Sequence, residues 1–328
     1  MKVQTVSAWI LLLICSNLYG CTAPDETTGD TAEPETRLQP PAPEDGFQFA
    51  FSTTVEPYSE AWVCGVYPAP YETIAPVSWI EYEVTPGLHH TTIATPSMFG
   101  SVLEPGAYDC KELLDVTMGE DSDYIMAFGL GAGEPTGEMY LPDGVAANLP
   151  AGIDIIHEIH YVNPTDKPIE AYSYINAYTV PFDEVEEGVW GGQIRDENIF
   201  LPPKSTSTEW SRCVMNEDVE VHFLASHTHE LGTNFTIRQF DGKETGDIIF
   251  SNDDWHDPKI TQYNPPLVVP AGTGFEWTCT FDNPYDTEVT YGDGAAYEMC
   301  NMALVHTPQS FSAWCDVVET SDGVLWEP

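Results

Sequence analysis

The sequence predicts an all-β protein built from antiparallel sandwiches, and three observations carry that expectation. Short runs of β-branched and aromatic residues alternate with polar ones, turn signals rich in Gly and Pro separate them, and no apolar period of about 3.6 persists for three helical turns. The runs, in order, are "FQFAFSTTV" (47–55), "VSWIEYEV" (77–84), "IDIIHEIHYV" (153–162), "VEVHFLASHTH" (219–229), "NFTIRQF" (234–240), "DIIFS" (247–251), "GFEWTCTF" (274–281) and "NMALVH" (301–306). Between them stand "TPG", "PDG", "NP", "DGKETG", "PAG" and "FDNP", each a turn by its Pro, Gly, Asn or Asp content. Many short strands with such punctuation fit sandwiches, and no repeat has solenoid or propeller spacing. The acidic, Gly-containing stretch 182–193, "FDEVEEGVWGGQ", is the best internal boundary and leaves halves of similar length.

Ahead of the first run, Lys2 precedes the apolar "AWILLLIC" and then "LYGC", the layout of a secretory signal too short to span a bilayer. Leu18, Gly20 and Cys21 resemble the lipobox of bacterial lipoproteins, which implies cleavage after residue 20 and lipidation of Cys21. Thr22, where an aspartate is absent, implies sorting to the outer membrane, on its periplasmic or surface face. Residues 21–46 are rich in Pro, Thr, Glu and Asp and cannot bury enough apolar surface to order themselves, so they read as a disordered tether. The formal charge is −43, which makes nucleic acid and anionic lipid surfaces poor partners.

Apart from Cys15 and Cys21, six cysteines remain: Cys64, Cys110, Cys213, Cys279, Cys300 and Cys315. An even count in an exported chain implies disulfides, with fifteen connectivities open, and no C-x-x-C suggests a zinc ribbon. The histidines are clustered. His227 and His229 form an H-x-H at the end of an apolar run, and on a strand residues i and i+2 face one side, a chelating geometry. His89 and His90 are adjacent, so they could share a metal only at a strand end or bulge. In "IDIIHEIHYV", His157 and His160 face opposite sides, with Glu158 on the side of His160. "HEIH" is one residue short of the zincin motif and sits in a strand pattern, which argues against a metalloprotease. Met299, in "YEMCNMAL", would by default be core. A thioether beside imidazoles is nonetheless a copper combination rather than a zinc or calcium one.

Taken together, "LHHTT", "HYVNP", "SHTHELG" and "EMC", in that order and widely separated, resemble the copper type II, ascorbate-dependent monooxygenases, the family of dopamine β-monooxygenase and peptidylglycine hydroxylating monooxygenase. "FGLGAGEPTGEMYLPDGVA" and "WHDPKITQYNPPLVVPAGTGFEWTCTFDN" also fit family stretches, so the resemblance covers nearly everything after the tether. It implies two tandem jelly-roll-like antiparallel β-sandwich domains, 47–185 and 186–328, separated by an open, solvent-filled cleft. It further implies two copper ions. One, on His89, His90 and His160, serves as an electron reservoir; the other, on His227, His229 and Met299, binds oxygen. The disulfides implied are Cys64–Cys110, Cys213–Cys315 and Cys279–Cys300.

The function implied is hydroxylation of a C–H bond in a small organic substrate, with O2 and an electron donor, ascorbate or another one-electron reductant, as partners. The chain departs from the family in three places. Ala225 and Ala303 stand where the peptide-amidating branch has the arginine and tyrosine that hold a substrate carboxylate, which argues against C-terminal glycine peptides. "HHTT" replaces the usual HHM. Two other readings compete: a copper-binding envelope lipoprotein that stores, delivers or senses metal, and a surface interaction module with vestigial histidines. His157, His222, His256 and His306 are assigned to structure.

Overall fold

Strand Gly274–Asn283 shows how the alternation is used. Phe275, Trp277, Cys279 and Phe281 point inward and are fully buried, whereas Glu276, Thr278 and Thr280 between them are only partly covered. Burying Phe275 and Phe281 contributes roughly 1.5–3 kcal/mol each. In this computed structural model the described residues are 37–96, 104–110, 113, 124–131, 134–255, 259–292, 296–310 and 312–324. They are almost entirely strand and turn, so the all-β expectation holds. The signal peptide, Cys21, most of the tether and His256 lie outside the described residues.

Four large sheets stack in two pairs. In the first pair, one sheet orders Gly46–Val55, Ile169–Thr179, Ala75–Val84, Val145–Leu149 and Glu187–Gly188, with Thr136–Tyr140 also on Ala75–Val84. Its mate orders Gly106–Asp109, Ser59–Pro68, Asp154–Asn163, Leu88–Pro96 and Tyr124–Gly131. Phe49, Val77, Ile80 and Ile175 of the former meet Ile93 and Ile155 of the latter in one core. In the second pair, Trp190–Arg195, Asn301–Thr307, Val219–His227 and Ile260–Val269 face a sheet that runs from Thr245–Asn252 through Gly232–Phe240, Gly274–Asn283 and Ser205–Met215 to Cys315–Thr320. Leu224, Met302 and Leu304 pack there against Phe235, Phe275, Trp277 and Phe281. More connections cross from one sheet to its mate than stay within a sheet, as in a jelly roll.

Pairing switches within the predicted boundary stretch: Gly188 pairs with Ala146 of the first half, and Trp190 with His306 of the second. Among the described residues, three disulfides form, Cys64–Cys110, Cys213–Cys315 and Cys279–Cys300, the pairing that the resemblance implied. The halves also share a turn. At Asn163-Pro164 and Asn283-Pro284 the Asn Oδ1 accepts the N–H two residues on, from Thr165 and Tyr285, both at 3.0 Å. The Nδ2 groups donate to carbonyls of Val55, Glu56 and Lys167 in one half, and of Leu201, Pro202 and Thr287 in the other.

Candidate metal centre

Strand Leu88–Pro96 runs against Asp154–Asn163, where Leu88 pairs with Tyr161 and His90 with His160, so His89 is the extra residue of a bulge. A bulge re-aims its side chain, which lets two adjacent histidines serve one side of a sheet. The three rings close up, with centroids 5.1 Å apart for His89–His90, 5.1 Å for His89–His160 and 5.0 Å for His90–His160. Carboxylates hold two of these rings from behind. His160 Nε2–H donates to Glu60 Oε1 at 2.6 Å, and His90 Nε2–H donates to Glu158 Oε1 at 3.0 Å. Glu158 is buried and also accepts the Trp62 indole N–H and the Thr92 hydroxyl.

The second group is built differently from the strand geometry expected of the H-x-H. Strand Val219–His227 ends on His227, and His229 lies in the turn beyond it, where its carbonyl accepts the Gly232 N–H at 3.0 Å. A Cβ on Gly232 would sit 2.5 Å from Thr228 Oγ1, so the turn requires glycine. The buried Glu298 fixes this turn by accepting backbone N–H groups from His229 at 2.9 Å and Leu231 at 2.7 Å. Oxygen Oε2 of Glu298 also takes the Met299 N–H at 3.3 Å, so His229 and Met299 hang on one carboxylate oxygen. His229 Nδ1–H donates to the Tyr297 carbonyl at 2.9 Å, and the His227 and His229 rings lie 5.3 Å apart. The buried Met299 Sδ accepts Asn301 Nδ2 at 3.2 Å, and Asn301 stands opposite His227 in the ladder.

Among the described residues, the open cleft expected between the two groups is absent. His89 lies 5.7 Å from His227 and 6.0 Å from His229, and His90 lies 5.5 Å from His227, ring centre to ring centre. Two trios offer ligand atoms all within 4.8 Å of one another: His89, His90 and His160, and His89, His227 and His229. His89 belongs to both. Two exposed hydrogen bonds also join the halves, Gln262 Nε2 on the Tyr140 carbonyl at 2.7 Å and Asn148 Nδ2 on Gln309 Oε1 at 3.1 Å. Trp255 closes over His89 at 5.5 Å.

Electrostatics fit a metal. Burial, reinforced by the neighbouring imidazoles, holds His89 and His227 far below the usual histidine range, and burial brings His229 down to about 4. Burial lowers His160 as well, against the opposing pull of Glu60. Neutral imidazole is the ligating form. Burial alone would raise Glu158, but His90, Thr92 and Trp62 bring it down to about 2, and the His160 hydrogen bond lowers Glu60, so both are ionised at neutral pH. A carboxylate accepts, so it fixes the proton on Nε2 of His90 and His160 and leaves Nδ1 free. Nδ1 of His89 and of His90 is buried with no hydrogen-bond partner, as an atom awaiting a ligand would be.

His157 points the other way, as expected, into the sandwich, where Nδ1 meets Tyr67 Oη and Nε2 meets Ser173 Oγ, each at 2.9 Å. His222 is the unpaired residue of a bulge and meets Thr307 Oγ1 at 3.2 Å, and His306 lies on the core side of its strand. Sequence reasoning had passed over Glu60, Trp62, Glu298 and Asn301, and had placed Glu158 only by its side of the strand. Glu298 adjoins Met299 inside the "EMC" motif and was the one with a visible signal.

The fold and site thus define a class: an all-β protein that gathers five imidazoles into one largely buried cluster whose geometry could hold a metal ion. Residues 190–327 match the family model described as copper type II ascorbate-dependent monooxygenase, C-terminal domain. No curated protein matches. Among solved structures, the major capsid protein P2 of bacteriophage PM2 is similar at 7% identity and a TM-score of 0.35, covering 80% of this chain and all (100%) of that one. PNGF-II is similar at 9% identity and a TM-score of 0.26, covering 86% of this chain and 63% of that one. Scores this low carry no argument about fold or function.

Proposed function

We propose that the protein is a copper-dependent monooxygenase that hydroxylates a C–H bond of a small organic substrate, using O2 and an external one-electron reductant, ascorbate or another. The observation that carries this reading is the donor set: imidazoles close enough to share a metal, His89 and His90 with buried, unpartnered Nδ1 atoms, in the chain whose residues 190–327 match the family model. His89, His90 and His160 would hold one copper, and His227, His229 and Met299 the other, in domains spanning 47–185 and 186–328. Copper, when bound, supplies one-electron redox chemistry and activation of O2.

The chain's own residues do the rest. Glu60 and Glu158 keep the Nε2 protons of His160 and His90 in place, and Glu298 aligns His229 with Met299. Ala225 and Ala303 face each other across the ladder beside His227. They present no charge to a substrate carboxylate, which supports a substrate other than a C-terminal glycine peptide. Lipidation at Cys21 would hold the protein in a bacterial envelope, at the outer membrane.

Copper quantitation with O2 uptake tests the reading. The full chain should bind two equivalents and, once reduced, consume O2 in step with a hydroxylated product. His227→Ala should lose about one equivalent and Met299→Ala less, since one imidazole counts for more than a thioether in affinity. Unchanged copper in both variants overturns the assignment. Copper exchange without turnover favours a storage or delivery lipoprotein instead.

A further inference from the structure

Hydrogen bonding to the five imidazoles is uneven. At the three-histidine group, two of the rings hydrogen-bond to side-chain carboxyl groups, His160 to Glu60 and His90 to Glu158. At the other group, the His229 ring donates to a neutral backbone carbonyl, Tyr297, and Glu298 spends its oxygens on backbone N–H groups rather than on a ring. Glu158 is committed on every side, by His90 and Trp62 on Oε1 and Thr92 on Oε2, so it cannot swing away from His90. Trp62 also lies against the His160 ring at 5.9 Å and bridges the two arms.

An imidazole that donates to a carboxylate gains negative charge and becomes a stronger σ-donor, which favours the more highly charged oxidation state of a bound metal. A thioether favours the lower one. Building on the copper reading above, we propose that Glu60 and Glu158 are positioning residues that lower the reduction potential of the three-histidine site. The two groups otherwise have the same number of protein ligands.

The test is a potentiometric titration of the copper-loaded full chain, followed by the Cu(II) electron paramagnetic resonance signal, on wild type, Glu158→Gln and Glu60→Gln. The midpoint absent from His90→Ala identifies the three-histidine site. In each carboxamide variant that midpoint should rise by about tenfold in the redox equilibrium, or ~59 mV for one electron, while the other stays in place. Glu60, whose side chain is 38% exposed, can be replaced without disturbing the core, and Glu60→Asp should return the midpoint towards wild type. Bound copper with both midpoints unmoved in both variants, or a rise at the other site, overturns this inference and leaves the copper reading standing. A wild-type chain that binds no copper overturns the copper reading itself.

Discussion

The two ends of the histidine cluster place the same ligand type by opposite means. In the first half, rings are set by regular strands, a one-residue bulge at His89 and carboxylates that grip Nε2 atoms. In the second, the strand stops at His227, and His229 is carried by a turn whose backbone a buried carboxylate holds. The lesson is that one residue type, a buried glutamate, does two different jobs. Glu158 acts on a ring directly, whereas Glu298 acts on backbone and so on where the His229 ring stands.

Breaking that comparison begins with Glu298. Glu298→Ala leaves the backbone N–H groups of His229, Leu231 and Met299 without their acceptor, at about 1 kcal/mol or more for each. The expected loss is at least ~3 kcal/mol in denaturant unfolding, with copper lost from the second site first. Equal loss from both sites would mean that the halves do not hold their metals separately.

A pH series comes next. His229 falls to about 4 and His157 to about 3, both chiefly through burial, while an unfolded histidine titrates near 6.5. The unfolded chain therefore takes up protons first, so this stability is full above about pH 6.5 and is lost as pH falls from there towards 4. Glu298, pushed up to about 7 by burial, runs the other way, its contribution being lost as pH rises through 7, but one carboxyl is outweighed by several histidines. The melting temperature of metal-free protein should drop by at least ~5 °C between pH 7 and pH 5. A flat profile would show that the imidazoles stay solvated.

The smallest effect sharpens the likeness rather than the contrast. Asn163→Ala and Asn283→Ala each remove the same turn from one half, and each should cost roughly 1–3 kcal/mol in denaturant unfolding. Costs differing by more than about 2 kcal/mol would show that the shared turn bears on only one sandwich.

Much of this was legible. The alternating runs are strands close to their quoted limits, and the condition set for His89 and His90, a strand end or bulge, is the geometry found. The disulfide pairing rested on the resemblance rather than on spacing. Glu60 and Glu158 were hard to single out as functional because they are two acids among 53. Charge so abundant carries no positional signal, and only the hydrogen bonds to His160 and His90 distinguish them.

What the sequence by itself determined is what depends on near neighbours: alternation and therefore strands, turn chemistry, and the kinds of donor atom offered at each motif. Only the tertiary structure decided that His89 stands with both groups, that His229 leaves its strand, and that, among the described residues, no open cleft parts the halves. Glu298, 69 positions from His229, holds that residue's turn, while the other two outcomes depend on how the halves meet, across pairs such as Tyr140–Gln262 and Asn148–Gln309. Those pairs join residues more than a hundred positions apart, and a side-chain period of two says nothing about what a face will meet.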